Sequence, residues 1–240
     1  MQQPTGVALR PAAGGFTLLE LAVVVVVVTI LLGSILVPLN AQVQQRNFAQ
    51  TQHVLEETRD ALIGYAMIHG RLPRPASSAT DGTERATPCS TAAECTGFVP
   101  WSELGTPQAD AWGKLYRYSV TPLLTVKGAF SLGSSGDKTV RTRDRTGAPS
   151  WLVRSSPVPA VIFSQGPNNF GFTQDGVALH SASSSNFDET DNQNNDGTRP
   201  FWARTTTANT GAPGGEFDDQ LVWIPTSLLF ARMVQAGQLP

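Results

Sequence analysis

Charge, histidine and cysteine are all scarce in this sequence. Charged residues make up 15%, low for a soluble enzyme of this size, and the net charge is −2. A balance so near neutral gives no sign of a chain that holds nucleic acid through bulk basic charge. Only three histidines and two cysteines occur. The cysteines have no second Cys/His pair close by, so a zinc site lacks ligands. A C-x-x-C redox pair is missing, as are G-x-S-x-G, H-E-x-x-H, a Walker loop and the Rossmann glycine pattern. His180 lies in a Ser-rich loop, and Ser134-Ser135 between glycines reads as a turn. These absences leave a membrane-anchored hydrolase as a remote reading and point away from enzymes in general.

What is present begins at the N-terminus. Residues 1–15 are polar to small, with one cation at Arg10. Residues 16–39, FTLLELAVVVVVVTILLGSILVPL, contain a single ionisable side chain, Glu20. A run of roughly 20 apolar residues spans a bilayer as a helix. Its many β-branched residues do not prevent this, because in lipid the backbone must satisfy its own hydrogen bonds. A secretory signal peptide would carry a shorter apolar core followed by a small-x-small cleavage site. Here the small residues Gly14 and Gly15 precede the run. An ordinary anchor accounts for the length but not for Glu20 or the Gly-Gly-Phe junction. An acid inside a membrane helix costs on the order of 2–3 kcal/mol near the centre, so it is a functional candidate by default.

Residues 40–70 continue the helix as an amphipathic half. They lack proline, and Phe48, Leu55, Leu62, Ile63 and Ala66 form an apolar stripe. Gln45, Arg46, Glu56, Glu57, Arg59 and Asp60 mark the opposite face. Gly70 suits a C-cap, and Pro38 is expected to kink the helix. Residues 16–69 as one helix would be about 80 Å long at about 1.5 Å per residue. His53 and His69 read as surface or packing residues.

Beyond Gly70 the chain turns rich in Pro, Ser, Thr, Gly and Asn. The β-branched and aromatic segments Leu115–Val120, Leu124–Leu132, Trp151–Arg154, Ala160–Ser164 and Gln220–Ile224 read as strands. Thr226–Ala236 reads as a short amphipathic helix capped by Thr226 and ended by Gly237. The expected architecture is α+β, with an antiparallel sheet packed on the outer half of the long helix.

The segment Gly15-Phe16-Thr17-Leu18-Leu19-Glu20 resembles the prepilin peptidase site of type IV pilins and of the pseudopilins of type II secretion. The resemblance implies several things. A leader, 1–15, is cut off between Gly15 and Phe16; removing fifteen residues from 240 leaves 225. Phe16 is then N-methylated. Glu20 falls at the fifth mature position, where it would pair with the Phe16 amine of a neighbour. The partners are prepilin peptidase, other pilin or pseudopilin subunits and an inner-membrane assembly platform. The scarce charge, Arg10 before the run and Arg46 after it, agrees with an N-terminus in the cytoplasm and a domain, 71–240, in the periplasm. In such an exported domain Cys89 and Cys95 read as one disulfide, worth about 2 kcal/mol through the small loop it closes.

Two further segments extend the resemblance. Asp110-Ala111-Trp112-Gly113-Lys114-Leu115-Tyr116-Arg117-Tyr118 looks like the D-x-W-G-x-x-Y-x-Y segment of major secretion pseudopilins. The stretch from Gly214 to Trp223 resembles their acidic loop, which implies a structural calcium ion on Asp218 and Asp219. Adjacent carboxylates suit this hard cation, which takes roughly six to eight oxygens. The alternative is a solvated acidic loop that starts the last strand. The family's Gly-Ala-Asp-Gly is replaced by Gly166-Pro167-Asn168-Asn169, and an insertion over 170–212 intervenes. Within it, Asn192, Asn194, Asp196 and Gly197 partly match a calcium loop. Phe187, Phe201 and Trp202 either pin the insertion to the sheet or form a recognition patch. A pseudopilin of a type II secretion system leads the readings. The alternative is a minor pilin of a type IV pilus, serving assembly, adhesion or DNA uptake.

Overall fold

The computed structural model describes residue 15 and residues 17–179 and 186–239, without the side chains of 32–39. It divides into two units, Met1–Gln45 and Arg46–Pro240. The first helix, α1 (Leu18–His69), begins in the first unit and ends in the second.

In the first unit, Thr17 starts the helix. Its Oγ1 accepts a hydrogen bond from the Glu20 N–H at 3.2 Å, and its carbonyl accepts one from Leu21 N–H at 3.1 Å. This is the N-terminal half of a capping box, with Thr followed three residues later by Glu. Leu18, Leu19, Leu21, Val23 to Val28, Ile30 and Leu31 are all exposed. So much contiguous apolar surface needs a membrane or neighbouring helices to cover it. Among the described residues no helix is long and apolar enough to cross a membrane. The described apolar side chains stop at Leu31, and the rest of the expected 16–39 span lies outside them. α1 continues through Pro38 without interruption.

The second unit is built on the outer part of α1. Val54, Leu55, Leu62, Ile63 and Ala66 are buried and Phe48 is half-buried, while Glu56, Glu57 and Asp60 face solvent, so the expected two faces hold. Gly70 ends the helix at φ +72°, with its N–H on the Ala66 carbonyl. His69 stacks on Tyr65, and His53 faces Glu57 on the surface.

Among the described residues, nine strands and three short helices follow. They are β1 (Thr96–Phe98), α2 (Trp101–Leu104), β2 (Arg117–Val120), β3 (Lys138–Arg143), β4 (Pro149–Val158), β5 (Ala160–Ser164), β6 (Gly171–Phe172), β7 (Ala178–Leu179), α3 (Phe187–Gln193), β8 (Phe201–Trp202), β9 (Gln220–Ile224) and α4 (Thr226–Gln235). The main sheet has the order β1-β2-β5-β9 and is antiparallel throughout. A second sheet has the order β4-β3-β8, and its β3–β8 pair is parallel, which the expectation of a purely antiparallel domain did not include. β6 and β7 form a small hairpin.

The main sheet is covered on both faces. Tyr118, Val120, Ala160, Ile162, Val222 and Ile224 pack in one core with α1 and with Leu229, Phe230 and Met233 of α4. The alternate residues Val161 and Phe163, with Leu221 and Trp223, pack in a second core against Val140, Val153, Val158 and Phe201. This is why β5 is an unbroken buried apolar run. Cys89 and Cys95 form the expected disulfide, with Cα atoms 5.3 Å apart, at the margin of the first core.

Two expectations need correction. Leu124–Leu132 is not a strand; Pro122–Thr125 winds into a 3-10 turn, because Pro122 at its start favours helical φ and deprives a ladder of a donor. Thr226 does not cap α4. Pro225 occupies that position, and the Thr226 hydroxyl donates to the Pro157 carbonyl. The insertion is folded into the domain and carries a helix and three strands. Phe201 and Trp202 are buried and pin it to the sheet, whereas Phe187 is exposed.

Leu62 is fully buried between α1 and the main sheet. Leu62→Ala is expected to cost about 3 kcal/mol in urea unfolding of the chain in detergent, whereas exposed Glu57→Ala stays within about 0.5 kcal/mol. Equal, small losses at both positions would contradict this docking of α1.

Candidate functional site

Two regions hold the residues that the sequence singles out. At the N-terminus Gly15 is exposed, and Glu20 is an exposed acid in the first turn of α1. Carboxylates there are favoured by the helix dipole. Phe16 lies outside the described residues.

The second region starts at the D-x-W-G turn. The Asp110 carboxylate accepts hydrogen bonds from Trp112 N–H and Lys114 N–H, both at 2.9 Å, and from the Ser164 hydroxyl at 2.6 Å. The turn docks on α1: Ala111 N–H donates to Thr51 Oγ1, and the Trp112 ring meets Phe48 edge-on at 4.9 Å. Tyr116 and Tyr118 then run into the core. The spacing of the segment therefore has a structural reason. Its acid holds the turn, its Trp grips the helix, and its tyrosines fill the interior.

Lys114 points from this turn into the domain. Its Nζ donates to the carbonyls of Gln165, Gly166 and Asn168. Beside it the structure gathers Glu189, Asp218 and Asp219, each with a carboxylate oxygen within 4.8 Å of the others. Asp218 and Asp219 come from the approach to β9, and Glu189 comes from α3 of the insertion. Glu189 accepts from Asp218 N–H at 2.6 Å, Asn168 Nδ2 at 2.6 Å and Asn186 Nδ2 at 2.9 Å. Asp219 accepts from Asn192 Nδ2 at 2.7 Å, and Asp218 from Asn168 N–H at 3.3 Å. Gly166, at φ +58°, lets the backbone pass so close that any Cβ would overlap the Asp218 carboxylate.

This much negative charge in one place is costly. Burial, and then the Glu189 charge, push the Asp218 carboxyl up to about 8 and raise Asp219 well above the usual carboxylate range. Burial also raises Glu189. Lys114 is lowered by burial, with the surrounding acids opposing that shift. Asp218 Oδ1 and Asp219 Oδ1 are buried and have no hydrogen-bond partner among the described residues, and the same holds for Gln165 Oε1. Orphaned buried oxygens of this kind ask either for a proton on a carboxyl or for a cation. An all-oxygen donor set fits calcium or magnesium and not a thiolate-seeking metal. The residues present thus fit the expected calcium ion, with Glu189 as a third acid that the sequence reading missed. A signal for it existed: Asn186-x-x-Glu189 has the spacing of a helix start.

The partial calcium-loop match within 188–197 does not fold as one continuous loop. Its first half is α3. Asp188 is bound by Arg143, with contacts of 2.7 and 2.6 Å, and by Arg204. Asn192 is occupied by the Trp202 backbone and Asp219, and Asp196 by Thr198.

A family model described as the prokaryotic N-terminal methylation motif matches residues 10–36. The chain carries a prepilin-type methylation motif. That motif is the signature of type IV pilins and pseudopilins, which are structural filament subunits and not enzymes. It implies processing by prepilin peptidase, a membrane-anchored N-terminus and assembly with other pilin subunits. No curated protein and no solved structure matches the chain.

In chelator, the raised Asp218 carboxyl keeps a proton in the folded chain that the unfolded chain has lost above about pH 4. Its contribution to stability is therefore present at low pH and is lost as pH rises towards about 8. Thermal unfolding is expected to show this fall between about pH 5 and 8, less steeply in Asp218→Asn. An equal slope in the two chains would contradict the assignment.

Proposed function

We propose that this chain is a pseudopilin of a type II protein secretion system, a subunit of a short periplasmic filament built on the inner membrane. The observation that carries the reading is the methylation motif at residues 10–36. Prepilin peptidase would cut between Gly15 and Phe16, and Phe16 would be N-methylated. The apolar part of α1 would then hold the subunit in the membrane, with the second unit in the periplasm, until an assembly platform moves it into the filament.

Glu20 would act in that step. In the membrane its carboxylate lacks water, so the free amine of Phe16 on a neighbouring subunit is a strongly favoured partner. Pairing at one depth would set the axial register between subunits. The exposed side chains from Leu18 to Leu31 would supply the packing surface.

Two features favour a secretion pseudopilin. One is the Asp110–Tyr118 segment, with Asp110 holding the turn and Trp112 on the helix. The other is the acidic approach to β9. We propose that Glu189, Asp218 and Asp219 hold a calcium ion there. The ion would supply positive charge to three crowded carboxylates and tie α3 of the insertion to β9. Binding would displace the proton held in its absence. The folded insertion favours the second reading, a specialised minor pilin of a type IV pilus, because it enlarges the subunit with elements of its own.

Glu20→Ala is expected to insert and be cleaved yet fail to enter filaments, as measured by co-purification with the other subunits. Normal incorporation would sink this role for Glu20. Deletion of the chain is expected to block exoprotein release and leave surface piliation intact. Loss of piliation with normal release would favour the minor-pilin reading instead.

A further inference from the structure

The hairpin of β3 and β4 concentrates positive charge on one surface. Arg141, Arg143 and Arg145 lie on or just after β3, and Arg154 lies on β4. Their fates differ. Arg143 is bound to Asp188. Arg141, Arg145 and Arg154 take part in no ion pair among the described residues. The hairpin's own acid, Asp144, is committed to the turn, accepting from Thr146 N–H and Oγ1 and from Ala148 N–H.

Two of these arginines share one indole. The guanidinium carbons of Arg141 and Arg154 lie 4.1 and 4.9 Å from the Trp151 ring centroid. A guanidinium stacked on an aromatic ring still has its in-plane N–H groups free to take a carboxylate. Stacking also restricts the long side chain, so less freedom is lost when an anion binds. Arg141 Nε is buried and has no hydrogen-bond partner.

The neighbouring backbone is open as well. Among the described residues, the sheet order leaves one edge of β4 unpaired. Val140 pairs with Val153 and Lys138 with Val158, so residues 154–157 bulge out of register with β3. Arg154, Ser155 and Ser156 are exposed. Beside them lies an open groove of about 350 Å³, lined in part by Val153, Ser155, Ser156, Val158 and Trp223. Charge and a bulge on an edge strand commonly serve to prevent edge-to-edge aggregation. Here they repel the same edge of a second copy while leaving an oppositely charged chain free to approach.

We infer that this surface docks an extended acidic polypeptide segment. Its carboxylates would meet Arg141 and Arg154 beside Trp151, and an apolar side chain between them would enter the groove. A nucleic acid suits the surface less. Three free arginines are few for a polyphosphate, and guanidinium groups already stand over the indole where a base would stack. This docking does not depend on the filament reading.

The test uses the full chain in detergent micelles and a fluorescein-labelled eight-residue peptide of alternating glutamate and valine, read by anisotropy. Saturable binding is expected, weakened at least about tenfold in Arg141→Gln/Arg154→Gln, with no binding of the lysine–valine counterpart. Arg154→Gln alone, at an exposed position, is expected to weaken binding while the melting temperature stays unchanged, which separates lost docking from lost fold. Absence of saturable binding, unaltered affinity in both variants, or equal binding of a short DNA duplex would overturn the proposal.

Discussion

The carboxylate of Asp110 is the point on which the second unit depends. A buried acid is tolerable only when donors replace the water it has lost. Asp110 finds three: two backbone N–H groups of its own turn and the hydroxyl of Ser164 at the end of β5. Those bonds place Trp112 against Phe48 of α1 and aim Lys114 at the carbonyls beyond β5. The helix, the central strand and the acidic cluster are thus positioned by one side chain.

The insertion continues the same logic. It adds polar and charged groups to the interior, and several of them find partners there. Asp188 takes two arginines, Asn192 bridges the Trp202 backbone and Asp219, and the Gly197 carbonyl accepts from the buried Lys138 of β3. Phe201 closes the second core. In the cluster of Glu189, Asp218 and Asp219, the Oδ1 atoms of both aspartates are buried without a donor among the described residues. That all-oxygen arrangement is the basis of the proposed calcium site.

Some of this was legible in the sequence. The start of α1, its two faces, its end at Gly70, β5, β9, α4 and the disulfide all rest on local signals such as run length, periodicity, a terminal glycine and a pair of cysteines. What escaped rests on distant partners. β3 is polar and basic, and it becomes a strand because β4 and β8 pair with it. Leu124–Leu132 has strand-like composition, yet Pro122 and the closure of a turn by Thr121 prevail. Glu189 sits among many Asp and Asn residues, and its spacing from Asn186 marks a helix start without marking a ligand. Only the fold brings it to Asp218 and Asp219, thirty or so residues away in the chain.

The central claim is that this chain is a processed pilin-like subunit, so its mature N-terminus is the most direct test. Intact mass and N-terminal sequencing would be read on the chain isolated from membranes of cells that contain prepilin peptidase. The account predicts a chain that begins at Phe16 and is one methyl group heavier than the unmodified sequence from that residue. A chain that still begins at Met1, or one cut after the apolar run, would contradict it.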